Sequence, residues 1–387
     1  MKCLFVLPHL KIGGVTTSFN SLYNQMKLTD ISIDVFTITD ECDCDIVFRD
    51  KLLPFDKLLC AYYSQYSQLS GINKIFSFVI KLIKRLSLIL RINFEEYLIK
   101  KVVKELEKRG YDCIVAFAEG VPTQFVQYFS NKNKIAWIHC NYILAHPYRE
   151  SDVYLYDKFK NIICVSKYTA DCFMTRFPMF REKVKSIYNI IDYERISNLS
   201  SLPLDDSLYQ SKKGDFNIIS VGRIASVKRY REIPRIINSL LNEGVNIKWF
   251  VIGPIWDQDE YQLIQQNINQ YSVSDSVFFL GGKENPYTYF RNADLLVCLS
   301  ESEACPMIFN EAKIVGLPIV SSDFGSAYEF INENTDGLVA PIEKINQAIL
   351  KLCKDKDLYY SIKNNNYDYS VESYQIVSSI LNLMWYD

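Results

Sequence analysis

Leu295-Leu296-Val297-Cys298-Leu299-Ser300-Glu301-Ser302-Glu303-Ala304-Cys305-Pro306-Met307-Ile308-Phe309-Asn310-Glu311-Ala312-Lys313, followed by Gly316-Leu317-Pro318, is the stretch on which the fold turns. Leu295–Leu299 is apolar without alternation, as a strand buried on both faces of a parallel sheet requires. A polar loop follows, and Pro306 is expected to be the first residue of a helix. Such a helix start leaves the N–H groups of Met307 and Ile308 without an intrahelical acceptor, ready for a phosphate. Glu303 falls in the loop and Glu311 about a turn and a half inside the helix. Carboxylates repel bound phosphate, so this pair points to hydroxyl-bearing partners such as a sugar and a ribose. Standing alone, two acids on a loop and a helix face would read as solvated surface.

The same strand–turn–helix rhythm runs outward in both directions. Phe216–Val221, Ile247–Ile252, Val277–Leu280 and Ile319–Ser321 read as strands of one set. Asp323-Phe324-Gly325 and Glu329 open the turn after the last of them. Cys3–Leu7, Ile33–Ile38, Cys113–Phe117, Ile135–Ile138 and Ile162–Val165 form an earlier set, with Ser166 placed to cap a helix beginning at Lys167. The chain turns polar between Ile191 and Asp215, the expected boundary. A chain of 387 residues suits two domains. The expected architecture is α/β, two Rossmann-like doubly wound domains facing a central cleft, over residues 1–200 and 215–370. The helical pattern within 371–387 is expected to cross back to the first domain. Sheets of this kind bind ligands at the carboxyl ends of their strands.

Composition narrows the function. Hydrophobic residues make up 49% and charged residues 23%, which excludes a disordered chain. The net charge of −2 argues against a dedicated nucleic-acid binder. The 11 cysteines are odd in number and include no CxxC pair, which fits reduced thiols better than disulfides or a structural zinc site. The apolar run before Pro8 is short for a signal peptide, and no stretch has the roughly 18 apolar residues of a spanning helix. A cytoplasmic protein is expected, with a peripheral place at the inner face of the cell membrane if the segment described next binds lipid.

In the segment Ile72–Arg91, the residues Ile72, Phe76, Val79, Ile83, Leu86 and Leu90 recur at helical spacing. Lys74, Lys81 and Arg85 fall on the opposite side, flanked by Lys84 and Arg91, and Gly71 to Asn93 holds no acidic residue. A basic amphipathic helix of this kind suits an anionic membrane surface. A core helix with a basic outer face gives the same periodicity.

Two further loops carry candidate chemistry. Gly13-Gly14, before the hydroxyl-rich start Thr16-Thr17-Ser18, lets backbone N–H groups approach a phosphate, although a tight strand–helix turn explains it nearly as well. Arg223 and Lys228, in the loop after Phe216–Val221, offer a planar fork and a point charge suited to a diphosphate; solvated surface charge is the plainer reading. Three D-x-D matches, Asp43-Cys44-Asp45, Asp257-Gln258-Asp259 and Asp355-Lys356-Asp357, are cheap patterns and read as loop acids. His139, Cys140 and His146 have irregular spacing and no evident further partner, so no metal site is expected there. Tyr142, Tyr148, Tyr287 and Tyr289 lie near strand ends, where aromatic faces suit sugars, though core packing explains most such rings.

Together these pieces resemble the retaining GT-B glycosyltransferases of family four, the group 1 glycosyltransferases, and more distantly the glycogen and sucrose synthases. The matching residues are Gly13-Gly14, Trp137–His139, Val165-Ser166, Tyr188–Asp192, Val221–Arg223 with Lys228, Phe279–Pro306, the E-x7-E pair Glu303 and Glu311, and Gly316–Ile331. The likeness spans nearly the whole chain, dense from Ile218 to Ile331 and thin between Asp40 and Tyr111.

The resemblance implies the following roles. Arg223 and Lys228 bind the donor diphosphate and stabilise it as it leaves. Glu311 holds the nucleotide ribose, and Glu303 contacts donor-sugar hydroxyls beside the anomeric carbon. Gly13, Gly14 and the helix start at Pro306, Met307 and Ile308 complete the phosphate cradle, and His139 lies over the donor sugar. It implies a metal-independent transfer with retention from a nucleotide sugar, expected to be a UDP-sugar, with no cofactor. The acceptor expected is a glycan or lipid-linked glycan in cell-surface polysaccharide assembly. Family members usually carry Gly where this chain has Ala304 and a bulky apolar residue where it has Cys305, which bears on the sugar accepted. The alternatives are an epimerase or phosphorylase of the same fold, or a silent membrane-bound scaffold. A dehydrogenase is disfavoured because no GxGxxG follows a strand.

Overall fold

The structure, a computed structural model, describes residues 1–387 except 12, 43–45, 64–70, 91–92, 213–215, 366, 368–369 and 386–387; at 71–74, 77, 88, 211 and 370–371 only the backbone is described. Two compact units make up the chain: Met1–Ile190 with Glu372–Asp387, and Ile191–Val371.

The first unit holds a parallel sheet of β1 (Lys2–Leu7), β2 (Ser32–Thr37), β3 (Cys113–Ala116), β4 (Lys134–Ile138), β5 (Asn161–Cys164) and β6 (Val184–Ser186), in the order β2-β1-β3-β4-β5-β6. The second holds β7 (Phe216–Val221), β8 (Ile247–Ile252), β9 (Val277–Gly281), β10 (Leu295–Cys298), β11 (Ile319–Ser322) and β12 (Gly337–Ala340), in the order β12-β11-β10-β7-β8-β9. Because each sheet is wholly parallel, every loop that follows a strand emerges at one edge, where the chemistry-bearing residues collect. The central strands are buried throughout, apart from Lys2 at the start of β1, as their apolar runs dictate.

The division falls between Ile190 and Ile191, ahead of the polar stretch expected to mark it. Asp192 instead caps helix Tyr193–Ser200, its side chain accepting from the Arg195 N–H at 3.1 Å. That helix packs on helices Tyr287–Asn292 and Met307–Val315 of the second unit, so polar composition here marks an outer helix face. The last helix, Ser370–Trp385, buries Ile376, Val377, Ile380 and Met384, and Asn133 Nδ2 donates to the Met384 carbonyl at 2.9 Å.

Ser166 caps helix Lys167–Arg176, accepting from the Thr169 N–H at 3.0 Å while the Thr169 hydroxyl receives the Ser166 N–H. Two of the D-x-D matches are also helix caps: Asp257 and Asp355 accept from the N–H groups of Glu260 and Leu358. Asp43-Cys44-Asp45 lies outside the described residues. None of the described cysteines is disulfide-bonded.

The segment read as an amphipathic helix is helix Gly71–Ile89, and its apolar stripe does not enter a core. Phe76, Val79, Ile83, Leu86 and Leu90 are all exposed, as are Ile75, Phe78, Leu82 and Ile89. The helix touches its neighbours through buried Ile80 and Ser87 and through Lys84, whose ammonium lies 4.0 Å from the centre of the Tyr62 ring. At 3.6 residues per turn the exposed apolar side chains cover roughly half of the circumference, with Lys81 and Arg85 at its margin. The side chains of Ile72 and Lys74, and all of Arg91, lie outside the described residues.

Candidate active site

In the second unit, the loops after β7, β8 and β10 are stitched together by backbone hydrogen bonds. The Glu301 N–H donates to the Val227 carbonyl at 2.8 Å, the Ile224 N–H to Pro254 at 2.8 Å and the Trp256 N–H to Ile224 at 3.1 Å. Gly222 and Gly253 both adopt φ 151, and a Cβ at Gly253 would lie 2.0 Å from the Gly222 carbonyl oxygen. The loops after β7 and β8 therefore approach more closely than any side chain allows. A Cβ at Gly222 would meet the Lys228 side chain at 3.0 Å, so glycine there leaves room for the lysine stem.

Lys228 reaches Glu303, with Nζ 2.5 Å from Oε1. The same oxygen accepts from the Ser300 hydroxyl at 2.7 Å, and the Ser326 hydroxyl donates to the Glu303 carbonyl at 2.8 Å. Both side chains are about four-fifths buried, with 18% and 20% exposure. Burial acts to lower the Lys228 pKa, but the Glu303 carboxylate and then Cys298 outweigh it and hold the ammonium above the ordinary lysine value. Glu303 Oε2 takes no hydrogen bond from a described residue, leaving one carboxylate oxygen for a ligand hydroxyl. Arg223 is exposed at the same edge, its guanidinium 5.3 Å from the centre of the Trp256 ring, and its charge reaches Lys228.

Helix Met307–Val315 begins one residue later than expected: Pro306 has φ −73 and ψ 85, outside the helical region, and is the cap. Met307 and Ile308 thus supply the first two helical N–H groups, neither of which has an intrahelical acceptor. Glu311, further along the helix, is buried at 7% exposure beside the Tyr287 hydroxyl, 3.4 Å from Oε1. Burial pushes its carboxyl up to about 7; Tyr287 and the charge of Arg195 pull the other way. The structure therefore joins Arg223, Lys228, Glu303, Pro306, Met307, Ile308 and Glu311 within one unit, at one sheet edge.

Gly13, Gly14 and His139 lie in the first unit, at the carboxyl ends of β1 and β4. Gly13 caps helix Gly14–Met26, and a Cβ at either glycine would meet nothing within 4 Å. The His139 ring packs 4.9 Å from Phe117 and nearly parallel to Trp137, while the residue's backbone N–H donates to Glu119 Oε2 at 2.8 Å. Burial pushes the imidazole down to about 4, with Glu119 opposing, so the ring is neutral near pH 7. Its Nε2 is buried and has no hydrogen-bond partner among the described residues.

Sequence reasoning missed Arg195, Ser300, Trp256 and Glu119, and read Tyr287 only as an aromatic near a strand end. Trp256 carried one usable signal, a large apolar residue three positions after Gly253 in a strand-end loop. Arg195 and Glu119 lack a motif, because their roles depend on which elements the fold brings together, while Ser300 lies inside the decisive stretch without having been given a role.

Residues 206–369 match the family described as Glycosyl transferases group 1. An uncharacterized glycosyltransferase of Methanocaldococcus jannaschii is 25% identical over 202 residues, covering 50% of this chain and 49% of that protein, so the chain spans about half that relative's length. The O-antigen biosynthesis glycosyltransferase WbnH of Escherichia coli is 22% identical over 335 residues, 85% of this chain and 83% of that protein. The crystal structure of Anabaena HepE in complex with UDP and glucose superimposes with a TM-score of 0.72 at 18% identity, covering 99% of this chain and 100% of that one. Taken with the two parallel six-stranded sheets, these likenesses give the chain the GT-B fold, and its residues 206–369 are similar to the group 1 glycosyl transferases.

Proposed function

We propose that the chain transfers a glycosyl group from a UDP-sugar to a glycan or lipid-linked acceptor, without a metal and with retention of anomeric configuration. The observation that carries this reading is the joining of Lys228, Glu303 and the Met307 and Ile308 N–H groups at one sheet edge, with Arg223 alongside. When the bond from the anomeric carbon to the phosphate oxygen breaks, the diphosphate departs with the electron pair. Two fixed cations and a helix N-terminus aimed there lower the barrier electrostatically. Donor binding exchanges the Lys228–Glu303 pair for a lysine–phosphate contact, and Glu303 is then free to accept from sugar hydroxyls. Glu311, buried and about half protonated at pH 7 when empty, accepts from ribose hydroxyls as its ionised form. The acceptor oxygen attacks from the side that the diphosphate leaves, and its proton passes to the departing phosphate. Roles for Gly13, Gly14 and His139, in the other unit, rest on the resemblance alone.

The UDP in the HepE complex supports uridine as the base, and the O-antigen relative supports a surface-glycan acceptor. A third partner follows from helix Gly71–Ile89. Eight exposed apolar side chains on the described part of this helix, with Leu90 just beyond it, lie beside Lys81 and Arg85, and with no acidic residue from Gly71 to Asn93 they fit an anionic lipid surface on which a lipid-linked acceptor resides. No helix of the described residues is long and apolar enough to cross a membrane.

The test is a thermal-shift screen of nucleotide sugars followed by a transfer assay with the stabilising one. Selective stabilisation by a UDP-sugar, and its consumption only when an acceptor is supplied, is the result expected. Consumption without an acceptor would favour an epimerase, and no stabilisation by any nucleotide sugar would overturn the reading.

A further inference from the structure

Glu119 stands just beyond β3, Cys140 just beyond β4, and His146 closes the short helix Tyr142–Ala145. Spacing alone offered His139, Cys140 and His146 no fourth partner; the parallel pairing of β3 with β4 brings Glu119 to Cys140 and His146. One donor atom from each of the three residues lies within 4.8 Å of the other two. The arrangement is built. Asn141 caps the short helix by accepting from the Ile143 and Leu144 N–H groups at 3.0 and 3.2 Å, which curls the chain from Cys140 back to His146. The His146 ring rests on Tyr142, centroids 4.6 Å apart, and Tyr142 is buried with its hydroxyl on Asp152 at 3.0 Å. Arg176 Nη1 holds the His146 carbonyl at 3.3 Å.

What the cluster lacks is positive charge. Glu119 accepts from the His139 N–H at 2.8 Å and from the Cys140 thiol, yet pairs with no lysine or arginine among the described residues. A half-buried carboxylate is seldom left without a cation. Its charge is felt by Cys140, Cys164, Tyr156 and His139. The donors are a sulfur, an imidazole nitrogen and a carboxylate oxygen. Calcium and magnesium prefer all-oxygen sites, whereas zinc takes these three at bond lengths of about 2.0–2.3 Å. A tetrahedron with such bonds spaces its donors roughly 3.3–3.8 Å apart, a modest contraction from the distances present.

We propose that Glu119, Cys140 and His146 form a zinc site of the first unit, with water in the fourth position. Binding releases the Cys140 proton to solvent and replaces the thiol–carboxylate hydrogen bond with two bonds to the ion. Cys140 adjoins His139, and Glu119 holds the His139 N–H, so the ion fixes the backbone that carries this imidazole. The proposal is independent of the transferase reading.

The full chain, stripped with a chelator under reducing conditions, is titrated with Co2+ and followed by absorption spectroscopy. One equivalent of Co2+ should produce intense tetrahedral ligand-field bands with a thiolate-to-cobalt charge-transfer band, and Zn2+ should displace both. Cys140→Ser should abolish the charge-transfer band, while Cys172→Ser, a thiol of the same neighbourhood, keeps it. Glu119→Gln and His146→Ala should each weaken Co2+ binding at least tenfold, about the loss that even outer partners of a metal site cause. Circular dichroism checks that each variant folds, and if Cys140→Ser does not, the other two variants decide the matter. Absence of stoichiometric Co2+ binding, or a charge-transfer band that survives in folded Cys140→Ser, overturns the proposal.

Discussion

Lys228 and Glu303, 75 positions apart in the chain, meet as a 2.5 Å ion pair because the Val227 carbonyl accepts the Glu301 N–H and locks their two loops together. The lysine is thereby held extended at the sheet edge before any phosphate arrives, and its rotamer entropy is already lost. Lys228→Ala should lower kcat by about 10²–10³, the usual cost of deleting one group that stabilises developing charge. Steady-state kinetics with the donor found by the stabilisation screen checks it; a kcat within threefold of the parent would remove Lys228 from the reaction.

Glu311 links ligand binding to pH. Burial lifts its carboxyl from the ordinary 4.5 to about 7, so between those values the folded chain holds a proton that the unfolded chain has released. Its contribution to stability is therefore fully present below about 4.5, falls as pH rises towards 7 and is flat above, a span of roughly 3 kcal/mol. Urea unfolding at pH 5 and pH 8 should show a smaller difference in Glu311→Gln than in the parent. Ribose hydroxyls favour the carboxylate, so UDP affinity should rise across pH 7 in the parent more than in the variant.

Arg223 resting on Trp256 provides an optical report on the diphosphate. Drawing the guanidinium onto phosphate removes a cation from the indole face, and UDP binding should change the tryptophan emission. The change should vanish in Trp256→Phe and shrink in Arg223→Ala. An identical response in Trp256→Phe would place the reporter elsewhere.

The contact between Gly222 and Gly253 leaves no room for a methyl group, since a Cβ would sit 2.0 Å from a backbone oxygen. Gly253→Ala should destabilise the chain by about 3 kcal/mol or more, a size reserved for backbone clashes and comparable defects. A loss below about 1 kcal/mol in denaturant unfolding would mean that these loops part easily.

Membrane binding divides into an apolar and an ionic part. Phe78, Leu82 and Ile89 are exposed, so changing all three to Ser should spare the fold while abolishing retention on anionic liposomes. Lys81→Gln with Arg85→Gln should cost about thirtyfold at low salt, near 1 kcal/mol for each charge, and less at high salt. Unchanged retention in both variants would exclude this helix as the contact.

The buried strands were legible because burial on both faces writes an unbroken apolar run. Phe216–Val221 and Ile247–Ile252 are read to the residue, and the other central strands to within one or two. The two strands missed, β6 and β12, are both sheet edges. Val184-Lys185-Ser186 is largely exposed, and β12 starts at Gly337, where only the close approach of the Ile319 carbonyl explains the glycine. Within the site, residues set by strand–loop–helix grammar were found: Lys228, Glu303, Met307 and Glu311. Arg195 and Glu119 were not, since each acts through a neighbour that only the sheet order brings near. The amphipathic helix shows what periodicity cannot convey: it gives the direction of an apolar stripe and is silent on whether anything covers it.

The first unit is assembled from both arms of the chain, with Ile376, Val377, Ile380 and Met384 completing an interior begun at Lys2. During synthesis on the ribosome, the whole of Ile191–Val371 emerges before that final piece exists. The nascent first unit consequently stays open along one flank while the second folds, and its dependence on chaperones should last as long as that interval.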